Sequence, residues 1–306
     1  WNFISQGEFT GKPRRQFNEN NLVSFMARAQ YSLLDRYLLN VAVRRDGSSR
    51  FGKENKWGTF PSAAFAWRVN QENFLKDVSW IDNLKLRVSY GIVGNQNGIG
   101  NYTTLGLADN KGYEFGDTFQ MGYLPGKELS NPNLKWETNL NFNVGIDFSL
   151  FNNRFSGSFD FFTRRSKDLL YSRPIAPSLG YGSIDENVGA LKNTGIEMVL
   201  NGTIINQNGW VWKLGMNLTH YKNKVTDLPL KDMPQSGVNK LQVGRSVYDF
   251  YMIEWAGVDP ENGDPLWYMD EEDENHNPTG KRVTTNDYGS ADYYYVNKSS
   301  LPKVYG

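Results

Sequence analysis

The 306-residue chain has no cysteine, only two histidines, and no excess of either charge, with 33 Lys+Arg against 33 Asp+Glu. Without Cys there is no disulfide framework, no thiolate zinc site and no Cys nucleophile. His220 and His276 stand far apart in sequence, a poor basis for a His-ligated metal or a catalytic triad. A balanced charge lacks the basic excess that nucleic-acid binding requires. No stretch approaches the ~18–20 uninterrupted apolar residues of a membrane-spanning helix. Catalytic signatures are missing too: there is no GxSxG, HExxH or P-loop, and Gly122 to Lys127 has the wrong spacing for one. Gly94 to Gly100 is Gly- and Asn-rich but leads from a strand into a long loop, not into a dinucleotide-binding helix. The expectation is a protein that is not an enzyme and carries no resident cofactor. Disorder is argued against by 9 Trp, 17 Tyr and 18 Phe, ample material for burial. The chain opens at Trp1 without Met or signal peptide and stops at Leu301 to Gly306, which reads like the start of an element. It is therefore expected to be an interior piece of a longer chain.

What is there is period-2 alternation, repeated along most of the chain. Val23, Phe25, Ala27, Ala29 and Tyr31 alternate with Ser24, Met26, Arg28 and Gln30. Leu140, Phe142, Val144, Ile146 and Phe148 alternate with Asn139, Asn141, Asn143, Gly145 and Asp147. Similar runs centre on Val41, Phe65, Val88, Phe159, Met198 and Leu214, giving about eight strands, most of them long enough for the ~9–11 residues of a membrane-crossing strand. Helical periodicity is nearly absent, with at most a short helical turn between Gln71 and Trp80.

Such alternation fits two architectures. A soluble sandwich turns the apolar face inward, whereas an outer-membrane barrel turns it toward lipid and lines a wet lumen with the polar one. Connection lengths separate them. Leu33 to Arg36, Phe151 to Arg154 and Asn206 to Gly209 are tight, and Asn70 to Asp82 is intermediate. Gly47 to Lys56, Asn95 to Lys135, Arg165 to Asn193 and Tyr221 to Ser300 are longer and alternate strictly with the tight ones, so all long loops share one end. Short periplasmic turns and long external loops are a barrel property. Aromatics flank the turns (Tyr31, Tyr37, Phe148, Phe151, Phe155, Trp210, Trp212), and Tyr90, Trp57 and Trp136 lie near the opposite strand ends, as two interfacial belts require. The rival reading is a soluble, secreted β-sandwich that binds carbohydrate.

On the barrel reading Arg28, Arg44, Asp46, Arg87, Asn141, Asn143, Asp147 and Asp160 face the lumen, as do Arg68, Lys85, Glu197 and Lys213. The loop aromatics Tyr113, Phe115, Phe119, Tyr123 and Tyr181 are the substrate-binding candidates, because sugars and peptides stack on exposed rings. The acidic run from Asp270 to Glu274, with Asp270, Glu271 and Asp273 as its oxygen donors, is a calcium alternative that lacks EF-hand spacing, and the competing account is a solvated external loop.

Several segments resemble one family. They are YLLNVAVRRDGSSRFG (Tyr37 to Gly52), WGTFPSAAFAWRVNQENF (Trp57 to Phe74), LKLRVSYGIVGNQNGIGNYTTL (Leu84 to Leu105), NPNLKWETNLNFNVGID (Asn131 to Asp147), LKNTGIEMVL (Leu191 to Leu200), WAGVDPENGDPLWY (Trp255 to Tyr268) and Leu301 to Gly306. In wording and order they are similar to the SusC/RagA class of TonB-linked outer-membrane transporters of Bacteroidota. The resemblance implies a location in the bacterial outer membrane and an all-β, antiparallel transmembrane barrel of 22 strands. Residues 1–306 would form part of its C-terminal half, with long extracellular loops, 221–300 the longest. It further implies an N-terminal plug, a segment contacting TonB, a SusD-like surface lipoprotein as lid, and import of oligosaccharides or peptides. The mixed lumenal charges would then hold the plug or line the substrate path. The outer membrane holds no ATP, so uptake of this kind draws its energy from the inner membrane.

Overall fold

The computed structural model describes residues 17–116, 118–230, 233, 235–275 and 277–304. Its strands are β1 (Leu22–Leu33), β2 (Tyr37–Ser48), β3 (Trp57–Arg68), β4 (Ile81–Asn95), β5 (Ala108–Phe115), β6 (Thr118–Pro125), β7 (Glu128–Leu129), β8 (Glu137–Leu150) and β9 (Phe155–Lys167). They continue as β10 (Leu170–Pro174), β11 (Ser183–Asn187), β12 (Ala190–Gln207), β13 (Trp210–Asp227), β14 (Asp249–Ile253), β15 (Trp255–Val258), β16 (Pro265–Glu272), β17 (Pro278–Thr285) and β18 (Tyr293–Ser299).

The eight alternating runs form one antiparallel sheet in the order β1-β2-β3-β4-β8-β9-β12-β13, which ends at β1 and β13 and does not close. Cross-strand register keeps each apolar row on one side: Val88, Val144, Phe161 and Ile196 are successive partners, as are Leu86, Ile146, Phe159 and Met198. These rows are exposed, Val144 at 41% and Phe161 at 43%. A sandwich would bury that face against a second sheet. An exposed apolar face running the width of eight strands is the lipid side of a barrel wall.

The tight connections share one end. Leu34 and Asp35 take positive φ between β1 and β2, Phe151, Asn152 and Asn153 between β8 and β9, and Asn208 with Gly209 between β12 and β13. The left-handed conformation costs Leu or Phe about 1–2 kcal/mol. Here packing offsets it: Phe151 stacks on Trp80 at 5.9 Å, and the Asn153 amide donates to Asp82. Between β3 and β4 the predicted helical turn is a 3-10 turn at Val69–Gln71. It is tied down at Glu72, whose carboxylate accepts from Tyr37 Oη (2.7 Å), Trp67 Nε1 (3.0 Å) and Arg36 Nη1 (3.1 Å). Those hydrogen bonds, Tyr37 first, hold the Glu72 carboxyl below the usual carboxylate range. Two neighbouring turns are thereby joined through a single acid.

The other end differs from the expectation of plain loops. The long connections carry ten further strands in four small sheets: β5-β6, β7-β11-β10, β14-β18 and β15-β16-β17. The segment expected to be loop from Tyr221 onward begins seven residues later, at Leu228, because β13 continues to Asp227. At this end the lumenal side has a core of Phe51, Phe60, Ile99, Leu134 and Trp136, with Ile92 and Leu170 packed against it. Trp136 is thus a correction: expected in an aromatic belt, it is 7% exposed and donates from Nε1 to the Lys56 carbonyl. Phe60 fits because Gly94 lies beneath its ring; a Cβ there would stand 2.0 Å from Cζ. Trp57 does sit on the outer face, stacked with Phe25 at 6.1 Å.

Candidate functional site: the lumenal face and the outer loops

Alternation and register together put the polar positions of neighbouring strands side by side, so the lumenal face is a set of cross-strand rows. The best-ordered row crosses four strands. Arg87 on β4 is opposite Gly145 on β8, which is opposite Asp160 on β9 and then Glu197 on β12. Because Gly145 has no side chain, Arg87 passes over it. Its Nη2 reaches Asp160 at 3.1 Å while Nε and Nη2 grip Asp147 at 2.9 and 2.7 Å. Lys85 Nζ adds a second cation to Asp147 at 2.7 Å. Two cations and two carboxylates therefore neutralise one another across three strands.

Other predicted lumenal residues are spread along the wall. Arg28 Nε donates to Asn40 on β2 at 2.8 Å, and Arg44 Nε donates to Asp46 at 2.8 Å. Asp46 is 1% exposed, and its Oδ1 has no partner among the described residues. Asn141 donates to the Asn139 carbonyl, and Asn139 accepts from Ser166 on β9. Asn143 is opposite Ser89 on one side and Phe162 on the other; Phe162 is buried, with the Arg164 guanidinium 4.9 Å above its ring. This face is rich in amides and hydroxyls, and Arg44 with Asp46, and Lys85 and Arg87 with Asp147 and Asp160, are paired among themselves. It presents hydrogen-bond donors and acceptors to water and to polar solutes without a field of one sign.

The five loop aromatics do not form one cluster. Phe119 and Tyr123 share a face of the β5-β6 hairpin with Met121, all strongly exposed, Tyr123 at 76%. Tyr113 and Phe115 lie on β5, and their side chains fall outside the described residues. Tyr181 is half-buried in a different connection, between β10 and β11. A separate aromatic group lies in the segment expected to be loop. Tyr251 packs on Tyr293 and Tyr295 at 5.8 and 4.9 Å, and Arg245 and Lys240 stand over Tyr295 and Tyr251. Arg282 covers Tyr294 at 3.7 Å. Burial first, and then the hydroxyl's bond to Asp270, push the Tyr294 phenol up. The run Tyr293-Tyr294-Tyr295 was the available signal, with alternate rings meeting β14 and the middle one facing β16.

The calcium alternative is not supported by the geometry. Asp270 accepts from Tyr294, Glu271 accepts from Thr279, and Asp273 accepts from the Asn275 and Asn277 amides that close the β16-β17 turn. Those amides, Asn277 first, hold the Asp273 carboxyl low. Among the described residues no three His, Cys, Asp or Glu side chains converge on a metal position. His276 lies outside the described residues.

Comparison with known proteins agrees with this geometry. The family model for the TonB dependent receptor-like beta-barrel matches residues 3–301. The TonB-dependent receptor SusC of Bacteroides thetaiotaomicron is 37% identical over 292 residues, covering 88% of this chain and 29% of that protein. The TonB-dependent receptor P3 of Formosa agariphila is 37% identical over 265 residues, covering 83% and 26%. Among solved structures, the RagAB peptide transporter superposes with a TM-score of 0.85 at 31% identity, covering 98% of this chain and 33% of that one. The chain thus spans about a third or less of the length of each relative. With an exposed apolar wall, a polar lumenal face and these matches, the chain belongs to the TonB-dependent receptor β-barrel family of the outer membrane, in its SusC/RagA-like branch.

Proposed function

We propose that the full-length protein is an active importer of a polar nutrient, an oligosaccharide or a peptide, energised through TonB and paired with a SusD-like surface lipoprotein. This chain supplies barrel wall and external loops, and its part in the process is non-enzymatic. The observation that carries the reading is the two-sided wall. Its outer face is apolar across eight strands, and its inner face offers amides, hydroxyls and self-neutralised charges to a wet lumen. A lumen of that composition lets uncharged polar solutes pass without trapping them electrostatically. Exposed Phe119 and Tyr123 on the β5-β6 hairpin supply stacking surface at the external end, and Arg87, Asp147 and Asp160 lie on the path or against a plug. Residues 221–300 act on this reading as the largest extracellular element. SusC and RagAB are described as a TonB-dependent receptor and a peptide transporter, which supports the same class for this protein.

The test is uptake of labelled glycan and labelled peptide by cells carrying the parent protein, with and without TonB. Uptake of one class that vanishes on TonB depletion is expected, and Phe119→Ala/Tyr123→Ala should raise the half-saturating concentration severalfold. Uptake that continues unchanged without TonB makes the barrel a passive pore and refutes the proposal.

A further inference from the structure

The outer face carries a feature that neither transport nor the apolar band explains. On the side facing lipid, Arg165 on β9 is directly opposite Lys192 on β12, and Lys192 is directly opposite Lys224 on β13. One row lower Lys222 stands opposite Thr194, so four cations occupy adjoining positions on three strands. All four are exposed, and none has a carboxylate partner among the described residues. The acids around them do not relieve them: Asp168 is held by Lys135, and Asp227, at the end of β13, and Asp249, beside Lys222 and Lys224, make no ion pair with any of the four among the described residues. Like charges facing each other across a ladder destabilise it unless an anion lies between them.

Height fixes what that anion is. Below this patch the same outward positions are Phe161, Ile196 and His220, then Phe159, Met198 and Leu218, down to Phe155 and Trp212 near the tight turns. Phe155 to Arg165 is ten residues and Trp212 to Lys224 is twelve. At ~3.3 Å per residue and a ~40° tilt this is roughly 25–30 Å along the membrane normal, the thickness of a barrel's apolar band. The cations therefore sit where the outer-leaflet headgroups begin. We propose that Arg165, Lys192 and Lys224, with Lys222 beneath them, bind the phosphate of an outer-leaflet lipid headgroup. A guanidinium and ammonium groups around one phosphate make charge-assisted hydrogen bonds that remove the cross-strand repulsion.

The experiment uses the full-length parent protein in lipid-free detergent, following heat-induced loss of its folded gel band. Three probes are added at equal phosphate concentration: diphosphorylated lipid A, the same lipid after phosphatase treatment, and inorganic phosphate. Only the phosphorylated lipid is expected to raise the midpoint. In Arg165→Gln/Lys192→Gln/Lys224→Gln its apparent affinity should fall about a hundredfold, while Lys281→Gln, an exposed cation elsewhere, should behave like the wild type. Equal protection by the dephosphorylated lipid or by free phosphate overturns the proposal, as does a triple variant within threefold of the wild type. If the triple variant does not fold, the wild-type comparison of the three probes decides alone.

Discussion

Gly145 offers the sharpest test of how the lumenal wall is held together. A Cβ at that position would stand 2.3 Å from Asp160 Oδ1 and 2.8 Å from Arg87 Nη2. Gly145→Ala therefore leaves every charge in place but blocks the route by which Arg87 crosses β8. The obstructed atoms end flexible side chains, so the strand pairing should survive while the Arg87–Asp160 contact is lost. That contact is 3.1 Å from Nη2 to each carboxylate oxygen, at side chains 32% and 14% exposed. A charge-assisted bond in such a half-exposed setting contributes about 1–2 kcal/mol, and the Asp147 grip remains. The expected cost of Gly145→Ala is thus about 1–2 kcal/mol, and after Asp160→Asn it should drop to about half a kcal/mol or less. Urea unfolding of the detergent-refolded full-length protein, followed by Trp fluorescence, measures both single variants and the double, and the coupling is read from the cycle. Repeating it at 1 M salt, where the screening length is ~3 Å, should shrink the coupling. If Gly145→Ala costs the same with and without the Asp160 carboxylate, the penalty is backbone crowding and the bridging argument fails.

Three further outcomes follow from the structure. The Glu72 carboxyl is depressed by its bonds from Tyr37 and Trp67, with Arg36 beside it, so its stabilisation is complete above the ordinary Glu pKa of ~4.3 and is lost as pH falls through the lower folded value. Glu72→Gln should flatten the acid side of the stability profile between about pH 5 and 3, and an unchanged slope would contradict the assignment. Leu134, fully buried between Phe51 and Trp136, should cost about 2–4 kcal/mol of local stability when cut to Ala. Because that core seats the long connection, trypsin should then cleave at Lys127 or Lys135 markedly faster, with the wall strands still resistant. In native membranes Val144→Cys should react with a lipid-confined reagent and Asn143→Cys only with an aqueous one; if neither position meets the lipid reagent, the sandwich reading returns.

The sequence by itself determined the wall. Period-2 alternation assigns each residue to a face whatever its neighbours are, so the eight strands, their lipid and lumenal sides and the end that carries the tight turns were all legible in one dimension. The family was legible too, because segments such as Tyr37 to Gly52 and Asn131 to Asp147 keep their wording in order. Only the tertiary structure decided how the rows meet. Alternation shows that Arg87 and Asp160 share a face, but the bridge between them depends on register across a third strand and on one missing side chain at Gly145. Trp136 read as a belt residue because aromatic content near a strand end is the same signal whether the ring meets lipid or turns inward; Phe51, Phe60 and Leu134, distant in sequence, turned it inward. The outer connections were opaque for the same reason. Their short strands pair β7 with β11 and β14 with β18 across long intervals, and the hydrogen bonds that select those partners leave no periodic trace in so few residues. The cation row at Arg165, Lys192 and Lys224 is likewise three unremarkable residues until the ladder sets them side by side.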